Sequence, residues 1–91
     1  MRLDAFLKQT GLIKRRPVAK AMCDGGKIAR NGKVSKASDE VRAGDTLRIS
    51  FGTRNVDVKI IMVPTGNVAK AARDDYFQIT GEEQLADDFD F

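Results

Sequence analysis

The chain has 91 residues, of which 42% are hydrophobic and 32% charged, with one cysteine, no histidine and a formal net charge of +3. That length allows one domain and a modest core, which leaves little room for an enclosed active site. The charge is uneven: residues 1–59 hold 14 Lys/Arg against 6 Asp/Glu, whereas residues 60–91 hold 2 against 7, the pattern of a polyanion-binding body with an acidic end.

Leu3, Phe6 and Leu7 have i, i+3, i+4 spacing and predict one apolar helix face, with Arg2, Asp4 and Lys8 off it. Gly11 is placed to end this helix, and Leu12 and Ile13 to anchor the connection. A second helix is predicted from Arg15–Pro17, since proline suits the first helical position; Asp24-Gly25-Gly26 ends it. The period then changes to two. Lys27–Arg30 reads as a strand, Asn31-Gly32 as a hairpin turn, and Lys33-Val34 as the return strand. Thr46–Phe51 alternates, and Val56–Val63 reads as a strand whose continuously apolar end is expected to be buried. Val68–Arg73 suggests a helical turn or two, and Tyr76–Ile79 a last short strand. The domain is therefore expected over residues 1–80, with residues 81–91 an acidic tail, mobile at Asp87–Phe91. The fold class is α+β: two N-terminal helices packed on a small, twisted, mainly antiparallel sheet.

Lys14-Arg15-Arg16 is the informative stretch. Three cations at a helix start are unfavourable, because the helix N-terminus already carries partial positive charge. An anionic partner removes the conflict: phosphates are drawn both to guanidinium forks and to the free N–H groups of the first turn. Lys20 lies one turn after Arg16 on the same face, and Arg2 opens the neighbouring helix. The plain alternative is a set of ordinary solvated cations. Phe6, Phe51 and Phe77 have core spacing, so recognition of RNA shape and backbone is expected rather than base stacking.

Other features point to structure. Gly25-Gly26-Lys27 lacks the spacing of a phosphate-binding loop, Cys23 reads as a small buried apolar residue, and Asp4 as a structural partner of Arg2 and Arg16. Asp87, Asp88 and Asp90 read as a solvated tail rather than a metal site. No nucleophile, base and orienting group can be assembled, so no enzyme activity and no cofactor, metal or small-molecule substrate is expected. A lone thiol closes no intrachain disulfide, and no apolar run approaches the ~20 residues that span a bilayer. Met1–Asp4 leads into an amphipathic segment rather than a signal peptide, and a reduced, cytoplasmic protein is expected.

Arg2-Leu3-Asp4, Phe6-Leu7, Gly11-Leu12, Arg16, Ala19, Gly25–Ile28, Asn31-Gly32, Ser38, Val41 and Gly44-Asp45 run in an order and spacing that resembles the RNA-binding domain of the ribosomal protein S-four type, the αL motif. Leu12–Arg16, Lys36-Ala37-Ser38, Phe51-Gly52 and Ala71-Ala72 ahead of Tyr76 resemble, within that group, the short stand-alone RqcP factors of bacterial ribosome-associated quality control. The resemblance implies binding to obstructed large ribosomal subunits that hold peptidyl-tRNA. It implies contacts to rRNA and P-site tRNA, and a tRNA-recruiting partner protein during C-terminal alanine tailing. The family's RNA-contacting arginines correspond to Arg2, Arg15 and Arg16, and Lys14, Lys20 and Lys36 join them as candidate RNA-binding residues. Ala5 stands where many members carry lysine, and Arg15 where most domains of this type carry serine.

Other readings stand beside this one. A factor like heat-shock protein fifteen also binds stalled large subunits, but such proteins usually carry a longer basic C-terminal helix. A generic structured-RNA-binding module is a second alternative. A module of an RNA-modifying enzyme or synthetase is a third, although 91 residues could not house that catalysis, and a binder of duplex DNA through the second helix is a fourth.

Overall fold

The computed structural model describes residues 1–84. Two helices, α1 (Leu3–Gln9) and α2 (Arg16–Asp24), precede five strands: β1 (Ile28–Arg30), β2 (Lys33–Val34), β3 (Thr46–Ser50), β4 (Arg54–Ile60) and β5 (Phe77–Gln84). A 3-10 helix, Lys70–Asp75, lies between β4 and β5. The strands form one antiparallel sheet in the order β2-β1-β3-β4-β5. This is the α+β arrangement expected, with the helices packed on the sheet.

α1 begins without a side-chain cap, and tertiary contacts satisfy its first donors: Leu3 N–H donates to Asp39 O at 2.8 Å and Asp4 N–H to Ala37 O at 3.2 Å. The loop after β2 is thereby tied to the helix start. Gly11, at φ +76°, turns the chain after α1, and a Cβ there would meet Arg73 Nη1 at 2.8 Å. α2 also lacks a side-chain cap and has no acidic residue in its first turn, which opens on Arg16 and Pro17. Asn31 and Gly32, at φ +52° and +86°, make the tight turn between β1 and β2.

The core follows the two periods. Leu3, Phe6 and Leu7 from α1 and Ala19 and Cys23 from α2 meet alternate residues of the sheet: Leu47 and Ile49, then Val56, Val58 and Ile60. Cross-strand pairs Ile28 with Ile49, Leu47 with Val58 and Ile49 with Val56 align these on one face. Burying each large aliphatic side chain contributes about 1.5–3 kcal/mol.

Several expectations are corrected. β4 ends at Ile60, three residues before the expected end, and Ile61 and Met62 are 46% and 43% exposed rather than buried. The chain leaves the ladder there: Ile61 and Met62 N–H both turn to Tyr76 O. Phe51 lies past the end of β3 and is exposed, with the Arg54 guanidinium 5.3 Å from its ring centre. The helical turn begins at Lys70 rather than Val68. The last strand does not stop at Ile79. Gly81–Gln84, expected to open the tail, continue β5 along β4. Their acidic residues answer basic ones in the sheet, Glu82 pairing with Arg54 at 3.1 Å and Glu83 with Arg48. Asp87–Phe91, expected to be mobile, lie outside the described residues. No helix among the described residues is long and apolar enough to cross a membrane.

Candidate nucleic-acid interface

The site is organised by one carboxylate. Asp4 sits in the first turn of α1, where the helix dipole favours a negative charge, and Ala5 N–H donates to its Oδ1 at 2.8 Å. Arg2, just before α1, approaches with Nε 3.2 Å from Oδ1 and Nη2 3.3 Å from Oδ2. Arg16, the first residue of α2, approaches with Nε 3.3 Å from Oδ2 and Nη2 3.4 Å from Oδ1. Two guanidinium forks from two elements thus share one buried acceptor. The Asp4 side chain is 3% exposed, whereas those of Arg2 and Arg16 are 50% and 51% exposed.

A guanidinium carries five N–H donors, so each arginine keeps donors free for an outside anion. One carboxylate against two cations leaves the cluster net positive. Burial pushes the Asp4 carboxyl up, but the hydrogen bond and charge of Arg16, with Arg2 and the Ala5 N–H, more than offset it and hold the group below its ordinary value. The carboxylate therefore stays ionised and keeps both forks oriented.

Arg16, Pro17 and Lys20 with Arg2 and Asp4 border one shallow concavity. Arg2 and Lys20 also border a second, which runs between the end of α2 and the loop after β2 and reaches Lys36. Arg2, Arg16, Lys20 and Lys36 therefore occupy one continuous surface. The Lys36 end is held by a turn in which Lys36 N–H donates to Asp39 Oδ2 at 2.9 Å and Asp39 N–H returns to Lys36 O at 3.0 Å. Lys14 and Arg15 are exposed in the connection just before α2 and border neither concavity.

Cys23 faces the second concavity from α2, and burial, with the charges of Asp4, Asp24 and Asp39, pushes its thiol up to about 11. A thiol so held is neutral and a poor nucleophile near pH 7. Among the described residues no group of three or more His, Cys, Asp or Glu side chains is placed to hold a metal ion.

The S4 domain family model matches residues 1–47. The RQC P-site tRNA stabilizing factor of Halalkalibacterium halodurans is 43% identical over 86 residues, covering 94% of this chain and 97% of that protein. The chain belongs to this family of S4 domain proteins. The factor of the same name from Bacillus subtilis is 50% identical over 60 residues, covering 66% of this chain and 70% of that one. Among solved structures, heat shock protein 15 of Vibrio cholerae superposes with a TM-score of 0.81 at 25% identity, covering 88% of this chain and 81% of that chain.

All six candidate residues, from Arg2 to Lys36, lie within the matched S4 domain, which here comprises both helices and the first hairpin. The pairing of Asp4 with Arg2 and Arg16 is as the sequence suggested, with the added fact that both arginines bind it through two nitrogens. Sequence reasoning missed the other wall of the S4 domain's second concavity, where Asp24, Val34 and Ser38 stand beside the cations. Val34, two residues after the Asn31-Gly32 turn, gave no signal in the sequence, since its 69% exposure appears only in the structure.

Proposed function

We propose that this protein is a non-enzymatic RNA-binding factor of ribosome-associated quality control. It binds obstructed large ribosomal subunits that carry peptidyl-tRNA. It contacts rRNA and P-site tRNA through Arg2, Lys14, Arg15, Arg16, Lys20 and Lys36. It works in the cytoplasm beside a tRNA-recruiting partner protein and supports C-terminal alanine tailing of stalled nascent chains. The observation that carries this reading is the Arg2–Asp4–Arg16 cluster, in which a buried carboxylate holds two half-exposed guanidinium groups in fixed orientation. Preorganised forks of this kind suit phosphate oxygens and lose little side-chain freedom on binding. The names of the relatives support the ribosomal setting.

Gradient sedimentation of tagged protein from lysate, with analysis of RNA and nascent chains in each fraction, tests the reading. Enrichment on large subunits holding peptidyl-tRNA is expected, and its loss in Arg16→Ala. Wild type remaining at the top of the gradient overturns it.

A second reading has its own observation, the superposition with heat shock protein 15 of Vibrio cholerae. On this second reading the protein binds stalled large subunits and has no part in tailing. Loss of alanine tails from stalled chains in a deletion strain, restored by this protein, separates the two.

A further inference from the structure

The concavity that joins Arg2, Lys20 and Lys36 contains a carboxylate that phosphate binding does not explain. Asp24 is the last residue of α2 and is exposed. A negative charge there lies at the negative end of the helix dipole. Among the described residues its carboxylate makes no ion pair or side-chain hydrogen bond, although Lys20 lies one turn before it on the same helix. Asp24 borders the cleft together with Lys20, Cys23 and Lys36. An acceptor-only group in a cationic cleft repels phosphate, so its placement calls for a donor on the bound molecule.

Two neighbours narrow that donor. Val34, on the two-residue edge strand β2, is 69% exposed and forms an apolar wall of the same cleft. Ser38 is also exposed there; its hydroxyl has no protein partner among the described residues, unlike Ser35, whose hydroxyl donates to Lys33 O at 3.0 Å. An apolar wall, a free hydroxyl and a carboxylate between lysines match the ribose of a nucleic-acid backbone. The sugar carbons pack on the valine, the 2′-hydroxyl donates to the carboxylate, and the flanking phosphates meet the lysines. In A-form RNA the wide, shallow minor groove presents those hydroxyls to an approaching protein.

We propose that Asp24 accepts a hydrogen bond from a ribose 2′-hydroxyl of the bound RNA, with Val34 and Ser38 completing a ribose-selective cleft. This rests on the RNA-binding reading above and adds to it the group that distinguishes RNA from DNA. The probe is a 20-base-pair RNA hairpin made in two forms, all-ribose and 2′-fluoro; the fluorine keeps the A-form shape and removes the donor. Wild type binds the ribose form about tenfold more tightly, the scale of one hydrogen bond to a charged group. Asp24→Ala brings that ratio close to one, while Arg16→Ala weakens both forms and leaves the ratio in place. A ratio of one in wild type, or a ratio unchanged in Asp24→Ala, overturns the proposal. So does an equal gain in affinity for both forms in Asp24→Ala, since the carboxylate then only repels phosphate. Failure of wild type to bind either hairpin defeats the RNA-binding reading itself, and this inference with it.

Discussion

Asp4 and Arg16 stand 12 residues apart in sequence and meet through two contacts, Nε to Oδ2 at 3.3 Å and Nη2 to Oδ1 at 3.4 Å. The pair links the start of α1 to the start of α2 and converts a flexible arginine into a fixed feature of the surface. Asp4→Asn tests this directly. Two half-exposed cations lose their shared anion, with solvent screening part of the loss, so stability falls by about 1–3 kcal/mol in urea denaturation. The substitution also raises the net charge of the proposed RNA-binding face by one unit. Simple charge attraction then predicts tighter RNA binding, whereas loss of orientation predicts weaker binding. Weaker binding, measured by fluorescence anisotropy at fixed salt, is the expected outcome.

The pH dependence follows from the same carboxylate and from Asp45. Burial raises the Asp45 carboxyl, but hydrogen bonds from Asn31 and the Arg42 N–H, with the charge of Arg30, more than offset it and hold the group below its ordinary value. Both groups are thus lower in the folded than in the unfolded chain. Their stabilisation is complete above the unfolded value, near 3.8, and is lost as pH falls through the lower folded values. The thermal midpoint should therefore drop steeply below about pH 4. In Asp4→Asn that acid limb becomes shallower.

Arg16→Ala removes one fork and should cost on the order of 1–3 kcal/mol of RNA affinity. Arg16→Lys restores the charge without the planar fork and should recover only part of the loss. The logarithm of the wild-type affinity should fall linearly with the logarithm of salt concentration, and the slope should lessen by about one in Arg16→Ala. An unchanged slope places Arg16 away from phosphate.

Gly11 joins the N-terminal helices to the later part of the chain. Its φ of +76° disfavours any side chain, and the Arg73 guanidinium packs where a Cβ would stand. Gly11→Ala should destabilise the fold by about 1–2 kcal/mol. Adding Arg73→Ala should relieve the collision and leave the backbone strain, so the double variant should recover only part of the stability.

Cys23 should react slowly with iodoacetamide in the folded protein at pH 8, because its thiol is buried and its value is pushed up to about 11. Reactivity should appear with unfolding in urea. Rapid labelling under native conditions would show that the second concavity opens deeper than the static structure.

Most of the fold was legible because its signals are local. The i, i+3, i+4 spacing of Leu3, Phe6 and Leu7, the Asn31-Gly32 turn and the alternation of Thr46–Ser50 each specify an element within a few residues. The cation cluster before α2 was legible for the same reason, since its conflict with a helix N-terminus needs no tertiary information. What the sequence could not settle depends on partners distant along the chain. Glu82 and Glu83 read as the start of an acidic tail until the sheet brings them to Arg54 and Arg48, and so β5 continues to Gln84. Ile61 and Met62 read as buried until the chain leaves β4 toward Tyr76. The cleft that places Asp24, Val34 and Ser38 beside Lys20 and Lys36 exists only once α2 and the loop after β2 face one another. Hydrophobic period and turn chemistry act over a few residues and are written in the sequence; charge pairing and cleft shape act across folded distances, and only the tertiary structure decides them.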